Sequence, residues 1–333
     1  RKMDDLENTI TNSEWADRTK KNRIAFIKNL KKDLSPNTND YNFLKNFKIV
    51  SKYILESTSN VSSLKTKILT IKSILKLAND KSADKYDKLS NSLIEKSDEM
   101  RGNNEIKDED KWITYDAMID IPFSIANDIK FIYDKLFLSY DEIDNLKTLS
   151  AKFKYLRMLT DYIIAVLYCH QYSVRADYAT VLLKPSKTEN WYDVNKSVIH
   201  FNDFKNVKKM GPQAWAVDEK IKIQLREYIS ILNYIIDSPK RLLYMVGAKT
   251  IKPFSRETFA IYIARILFKY TKKKISINTL RHIHETKILS SPDYNRLSIN
   301  DKKALHARML HSTATGQDYN KIENPIELKD FKI

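Results

Sequence analysis

The residues best suited to chemistry on an anion lie in the second half of the 333-residue chain. Arg281 stands on a segment with helical periodicity, His311 follows thirty positions later, and Tyr319 stands eight positions after that. A guanidinium stays charged and binds anionic oxygens through two parallel hydrogen bonds. A tyrosine hydroxyl has a pKa near ~10, so it becomes a nucleophile only where cations or a base favour the phenolate. This set of residue types therefore suits nucleophilic attack on an anionic centre.

Two further cations precede this set. Arg175 follows a strongly apolar helical segment at 150–170, and Lys205 lies between two β-type runs. Lys208 and Lys209 lie between the same runs, and we favour Lys205 because it comes directly after the second run. Each candidate taken alone also fits an ordinary surface or packing role, so the evidence is their joint order and spacing.

In that order and spacing the residues resemble the tyrosine recombinase (phage integrase) family, of the type seen in virophages and large DNA viruses. The family pattern has an Arg after a long helix, a Lys in a β-hairpin and a His/Lys-x-x-Arg helix. A Gly-His or His-Ser segment follows, with a nucleophilic Tyr eight or nine residues later. The matching positions, within about 150–320, are Arg175, Lys205, Asn278, Arg281, His311 and Tyr319. Asn278 departs from the pattern, because an amide can donate one hydrogen bond but carries no charge and cannot shuttle protons.

The resemblance implies a site-specific DNA recombinase or integrase that cleaves and rejoins double-stranded DNA through a 3′-phosphotyrosyl intermediate. It makes Tyr319 the nucleophile, and it implies that Arg175 and Arg281 bind the scissile phosphate. It makes Lys205 the proton donor to the leaving 5′ hydroxyl, and His311 a donor to the phosphate or an aid to proton transfer. Such a reaction uses no cofactor and no metal. The resemblance also implies a homotetramer on synapsed DNA, acting inside the cell, in the host nucleus or cytoplasm for a viral protein.

Two alternatives stay open from the sequence. A type IB topoisomerase shares the nucleophile and its Arg, Lys and His partners, but it works as a monomer. A non-catalytic helical DNA-binding protein could keep the shape of the site without its chemistry, although the number of matching residues argues against this.

Composition narrows the function classes. The chain has 58 Lys+Arg and 42 Asp+Glu, a formal net charge of +16, which fits a polyanionic partner such as nucleic acid. Its four glycines are scattered, which disfavours a Walker A loop and a dinucleotide-binding fingerprint. The single cysteine, Cys169, excludes an internal disulfide and a cysteine-based zinc site. The longest apolar run, 162–169, is too short to span a membrane, so no membrane partner is expected.

The periodicity predicts a mainly α fold with a small antiparallel β-sheet. Residues 1–105 are predicted to form a helical core-binding domain that contacts DNA, because its helical faces carry many lysines. Residues 112–333 are predicted to form the catalytic domain, with a three-stranded sheet and a C-terminal tail. The strands are expected at 180–183, 197–201 and 213–217, and the tail at 322–333 is expected to dock on a neighbouring subunit.

Overall fold

The computed structural model describes residues 5–102 and 109–319, with side chains for 5–98 and 109–316. The chain divides into two compact units, Arg1–Asn103 and Asn104–Ile333, and each has its own hydrophobic core. The prediction of a mainly α fold with a small antiparallel sheet is confirmed. The DNA-binding role of the first unit stays a prediction.

The described part of the first unit is helical. Its α-helices are α1 (Leu6–Thr11), α2 (Asp17–Leu34), α3 (Phe47–Glu56), α4 (Val61–Leu77) and α5 (Asp87–Gly102), with 3₁₀ turns at Asn42–Lys45 and Lys81–Tyr86. Side-chain caps explain where two of them begin: Asn46 accepts a hydrogen bond from the Ile49 amide, and Asn60 accepts one from the Ser63 amide. The apolar stripe of α4 packs against α5 and α3, so α4 organises this core.

The second unit is built from eleven described α-helices. They are α6 (Tyr115–Ile119), α7 (Ile121–Tyr133), α8 (Tyr140–Asp144), α9 (Leu149–Cys169), α10 (Val207–Met210), α11 (Glu219–Ile235), α12 (Arg256–Thr271), α13 (Ile277–Ser290), α14 (Pro292–Arg296), α15 (Ile299–Ala307) and α16 (Thr313–Tyr319). Two 3₁₀ turns lie at Glu109–Lys111 and Ala176–Thr180.

The helix α9 is the centre of this unit. Apolar side chains occur on all of its sides, and it packs against α7 and α11. The Thr148 side chain caps it by accepting a hydrogen bond from the Ala151 amide, and it ends at Cys169, a few residues before Arg175. Within 5–102 and 109–319, no helix has both the length and the apolar character needed to cross a membrane.

The sheet has the order β1–β2–β3 and is antiparallel throughout. Its strands are β1 (Trp191–Asp193), β2 (Val198–Phe201) and β3 (Gln213–Ala216), with Trp191 opposite His200 and Ile199 opposite Trp215. The loop from β2 to β3 contains Lys205 and the short helix α10. A second, two-stranded sheet, β4 (Tyr244–Val246) with β5 (Ile251–Pro253), was not predicted.

The predicted first strand at 180–183 was wrong. That segment is the end of a 3₁₀ turn followed by Leu182, which makes only isolated bridges to Trp191 and Arg241. The backbone of 181–183 does make hydrogen bonds on both sides, to residues 190–192 and to residues 240–242, but these are too few to form a continuous ladder. The strand that completes the sheet is β1, which has three residues and stands among turn-forming residues.

Candidate active site

The side chain of Arg281 links the segments that carry the predicted site. It lies on α13, which begins with a capping box between Ser276 and Thr279. Arg281 is fully buried, and its Nε donates to the carbonyl of Ser173 at 3.2 Å. Its Nη2 donates to the carbonyl of Met309 at 3.0 Å. Ser173 stands two residues before Arg175, and Met309 stands two residues before His311. One guanidinium therefore holds both segments.

The segment of Arg175 is also held from α9. The Ser173 hydroxyl donates to the carbonyl of Tyr168 at 2.7 Å, and the Tyr168 hydroxyl donates to the carbonyl of Arg175. Arg175 is half-buried and stands at the start of the 3₁₀ turn Ala176–Thr180. A well-packed helix end therefore fixes the backbone from which this arginine projects.

The β2–β3 loop approaches the same place. The Asn206 amide donates to the carbonyl of Leu310 at 3.5 Å, which joins the residue after Lys205 to the residue before His311. Leu310 has a φ of 56°, in the left-handed region that a leucine rarely adopts, and this turns the chain between α15 and α16. The Lys205 side chain is exposed, as are Lys208 and Lys209 on α10.

Arg256 connects the β2–β3 loop to the Arg175 segment. Its Nη2 lies 3.3 Å from Asp177 Oδ1 and 3.1 Å from Asp203 Oδ2, and it donates to the Asp203 carbonyl at 2.6 Å. Burial raises the pKa of Asp177 to about 6, against the opposing charges of Arg256 and Arg281. Arg256 therefore orders both sides of the candidate site while leaving Lys205 outside its ion pairs.

His311 lies between Arg281 and a buried carboxylate. Its Nδ1 is 2.7 Å from Arg281 Nη2, and its Nε2 contacts Oε1 of Glu285. The same carboxylate oxygen lies 3.1 Å from Nδ1 of His306, whose Nε2 is 2.8 Å from the hydroxyl of Tyr294. Burial by itself would raise the pKa of Glu285, but the hydrogen bonds from the two histidines outweigh it and lower that pKa to about 2. The pKa of His311 is lowered by burial.

The other two predicted residues stand at helix positions near this cluster. Asn278 lies exposed in the first turn of α13, and among the described residues no hydrogen bond joins it to the site. The backbone of Tyr319 ends α16, and its side chain lies outside the described part. The backbone of α16 packs on the cluster, because a Cβ at Gly316 would lie 2.4 Å from His306 Nδ1 and 2.9 Å from Glu285 Oε2. The predicted tail at 322–333 lies outside the described residues.

The role of His311, as a donor to phosphate or an aid to proton transfer, stays a prediction. In the described state both of its ring nitrogens are engaged and the side chain has no exposed surface, so donation to a phosphate requires one of these contacts to open. Four residues of this region were missed from the sequence: Asp177, Arg256, Glu285 and His306. The available signals were the four-residue spacing of Arg281 and Glu285, which puts them on one helix face, and the Asp two residues after Arg175.

Glu285, His306 and His311 also have the residue types of a metal site. One potential ligand atom from each lies within 4.8 Å of the others, and all three residues are buried. Two features of the geometry favour hydrogen bonds instead. The carboxylate oxygen is in direct contact with both rings, and Arg281 donates to His311 at the nitrogen that in a metal-bound histidine normally carries a proton.

His282 and His284 follow Arg281 on α13, and neither belongs to the cluster of possible metal ligands found among the described residues. His284 is buried and its Nε2 lies 2.9 Å from the carbonyl of Tyr168, to which it donates. Burial lowers the pKa of His284 to about 4, so it is neutral at physiological pH. It packs edge-on against the ring of Tyr115 and has a structural role in joining α13 to α9.

Comparison with known proteins shows a distant likeness to solved structures. No protein-family model matches the chain, and no curated protein matches it. Among solved structures, the chain is similar to one described as the crystal structure of XerA recombinase, with 14% sequence identity and a TM-score of 0.40. The alignment covers 99% of this chain and 95% of the other. The assignment of the site therefore rests on the residues and their geometry.

Proposed function

We propose that the protein is a DNA breaking-rejoining enzyme, a site-specific recombinase that uses Tyr319 as its nucleophile. The observation that carries the proposal is the convergence on Arg281. Hydrogen bonds join this side chain to the backbone two residues before Arg175 and two before His311, and Asn206 joins the Lys205 loop to the same place. Segments far apart in sequence, each carrying a residue expected from the family pattern, meet around one guanidinium.

In the proposed reaction the Tyr319 hydroxyl gives its proton to water, the phenolate oxygen attacks the scissile phosphorus, and the bond to the 5′ oxygen breaks. Lys205 gives a proton to that oxygen, so a 5′ hydroxyl leaves and a 3′-phosphotyrosyl bond remains. Arg175 and Arg281 stabilise the extra negative charge on the non-bridging oxygens. Attack by a 5′ hydroxyl on the phosphotyrosine reverses these steps and rejoins the strand. The number of phosphodiester-type bonds is conserved, so the reaction consumes no nucleotide.

The buried state of Arg281 and His311 adds a condition to this proposal. Neither has exposed surface, so a phosphate reaches them only after the surrounding segments separate. Lys205 is already exposed on the β2–β3 loop. We therefore include an opening step, driven by DNA binding, between the described state and cleavage.

The charge of the chain supports a DNA partner. A net charge of +16 and lysine-rich helices in the first unit suit the phosphate backbone, whose binding depends on salt. A homotetramer on synapsed duplexes, acting at DNA inside the cell, belongs to the same proposal.

The test is covalent capture. A library of nicked duplexes with randomised sequence is incubated with the protein, and adducts that survive denaturation are isolated and sequenced. The wild-type protein is expected to form an adduct at Tyr319, and Tyr319→Phe is expected to bind the same DNA without forming one. The control Tyr140→Phe changes an exposed tyrosine of α8 and should leave adduct formation intact. Absence of any adduct from the wild type would refute the enzyme assignment.

A plasmid carrying the recovered sequence distinguishes the two catalytic alternatives. Strand exchange between two such sites is expected for a recombinase. Relaxation of supercoils by a monomer, with no exchange, would instead assign the protein to the topoisomerase class.

A further inference from the structure

Five buried side chains form a continuous hydrogen-bonded chain in the second unit, which we call the buried relay. Its members, in order of contact, are Tyr294, His306, Glu285, His311 and Arg281. The Tyr294 hydroxyl is 2.8 Å from His306 Nε2, and His306 Nδ1 is 3.1 Å from Glu285 Oε1. None of the five is more than 8% exposed, so water does not compete for these contacts.

The donors and acceptors fix where each proton lies. Arg281 can only donate, so Nδ1 of His311 accepts, and the proton of His311 must be on Nε2, where it is donated to Glu285. An ionised Glu285 can only accept, so His306 carries a proton on Nδ1. With both histidines neutral, the buried charges of Arg281 and Glu285 balance, whereas a third charge would be costly to bury. The Nε2 of His306 then accepts from the Tyr294 hydroxyl.

The relay also supports the helix that ends at Tyr319. Gly316 leaves room for the ring of His306 and the second oxygen of Glu285, which has no hydrogen-bond partner among the described residues. Any Cβ at Gly316 would overlap that ring. The same two side chains therefore contact the backbone of α16 on one side and hold His311 on the other.

We propose that Glu285 and His306 are positioning residues of the candidate active site: they orient His311 and, through it, the guanidinium of Arg281, and they seat the helix that carries Tyr319. This inference rests on the proposed function for its catalytic part. The relay links the proposed phosphate-binding residue, Arg281, to the helix of the proposed nucleophile, so a change at Glu285 should alter the position of both. Removing the charge of Glu285 takes away one of the two buried carboxylates near Arg281, the other being Asp177.

The first experiment measures the protonation of the histidines in the relay and needs no catalytic reaction. Nitrogen-15 NMR of the histidine side chains in the DNA-free wild-type protein distinguishes the two neutral tautomers. His311 is expected to carry its proton on Nε2 and His306 on Nδ1, assigned with single His→Gln variants. Either histidine in the opposite tautomer would overturn the relay, whatever the protein's activity.

The second experiment measures catalysis with matched variants. Glu285→Gln is nearly isosteric and removes the charge, and Glu227→Gln does the same at an exposed position of α11. Glu285→Gln is expected to slow single-turnover formation of the tyrosyl–DNA adduct by about 10- to 100-fold, by analogy with groups that orient metal ligands. DNA affinity should change by less than about 3-fold, because the relay has no exposed surface. Unchanged cleavage in a folded Glu285→Gln protein would overturn the positioning role.

A pair of variants at His306 guards against a folding defect. His306→Asn keeps an N–H donor near the place of Nδ1, whereas His306→Leu has similar size and no donor. The asparagine variant is expected to retain more of the cleavage rate than the leucine variant at equal thermal stability. Equal losses in the two would assign His306 a packing role only.

A modified substrate separates positioning from general instability. A methylphosphonate at the scissile position lacks one negative charge and so depends less on Arg281. The ratio of variant to wild-type rate for Glu285→Gln should therefore lie closer to one on this substrate, as for Arg281→Ala. An identical ratio on both substrates would contradict action through Arg281. If the wild type forms no adduct at all, the proposed function fails, and the tautomer experiment still decides the relay.

Discussion

Gly316 is the position where one added methyl group would disturb the buried relay. In Gly316→Ala the new Cβ would lie 2.4 Å from Nδ1 and 2.5 Å from Cε1 of His306. Non-bonded carbon contacts normally stand at about 3.5 Å or more, so the ring or the helix α16 must move by about 1 Å. The ring cannot move alone without losing its contacts to Tyr294 at 2.8 Å and to Glu285 at 3.1 Å.

The magnitude follows from those contacts. A neutral hydrogen bond contributes about 1 kcal/mol and one to a charged group about 2 kcal/mol, so losing both costs about 3 kcal/mol. Alanine gains about 1 kcal/mol over glycine from helix propensity. We therefore expect Gly316→Ala to lower the free energy of unfolding of the second unit by about 2 kcal/mol.

Urea unfolding followed by tryptophan fluorescence is a suitable assay, because Trp112, Trp191 and Trp215 lie in the second unit. The matched control is Ala314→Gly, at an exposed position of α16, which should lose about 1 kcal/mol from propensity alone. On the proposed function, Gly316→Ala should also slow adduct formation while the control does not. A Gly316→Ala protein that is more stable than the wild type would refute the reasoning, since propensity would then act without any overlap.

Three further predictions concern the loop, the ion pairs and a buried histidine. Lys205→Ala should abolish adduct formation on ordinary DNA but not on a substrate whose leaving 5′ atom is sulfur, because a thiolate leaves without a proton. Lys208→Ala should form adducts with both substrates. The reverse result would identify Lys208 as the general acid. Arg256→Gln should destabilise the fold by about 2 kcal/mol at pH 8, where Asp177 is ionised, and by less at pH 5, where it is mostly protonated; urea unfolding at both pH values checks this. His284 has a folded pKa of about 4 against an ordinary 6.5, so its contribution is present above pH 6.5 and is lost as the pH falls toward 4. Between pH 7 and pH 4 the wild type should therefore lose about 3 kcal/mol of stability relative to His284→Gln. Parallel pH profiles of the unfolding free energy would contradict this, because they would mean that folding does not change the pKa of His284.

Much of the secondary structure could be predicted from periodicity. The segment of helical periodicity that carries Arg281 corresponds to α13, Ile277–Ser290, and the strand expected at 197–201 corresponds to β2, Val198–Phe201. Both elements have one strongly buried face, which is the feature that periodicity detects. The first strand was missed because β1 has three residues, and its pairing with β2 rather than its composition makes it a strand.

The candidate site could be predicted only in part. Arg175, Lys205 and Arg281 were chosen by type and spacing, and the structure brings their segments together by hydrogen bonds from side chains to backbone carbonyls, which no spacing shows. Glu285 was missed because a glutamate on a helix is normally a solvated residue. Its burial depends on His306, which reaches it from a different helix. Such a tertiary partnership leaves no periodic signal in a single sequence.

The charge balance of the relay bears on how the proposed site could open. In the described state Glu285, acting through His311, and the nearby Asp177 offset the charge of Arg281, so its guanidinium is already satisfied before DNA binds. When a phosphate displaces His311, Arg281 loses one hydrogen bond of a charged group, which is worth about 2 kcal/mol. Arg281 then gains two parallel charge-assisted hydrogen bonds to the phosphate, each roughly twice as strong as a bond between neutral groups. The exchange is close to balanced and tips toward DNA when both oxygens are engaged. His311 would then be released from Arg281 at the moment the phosphate arrives, with its Nε2 proton still held by Glu285 and its Nδ1 able to accept. On the proposed function, this exchange ties the readiness of His311 for proton transfer to occupancy of the site by the scissile phosphate.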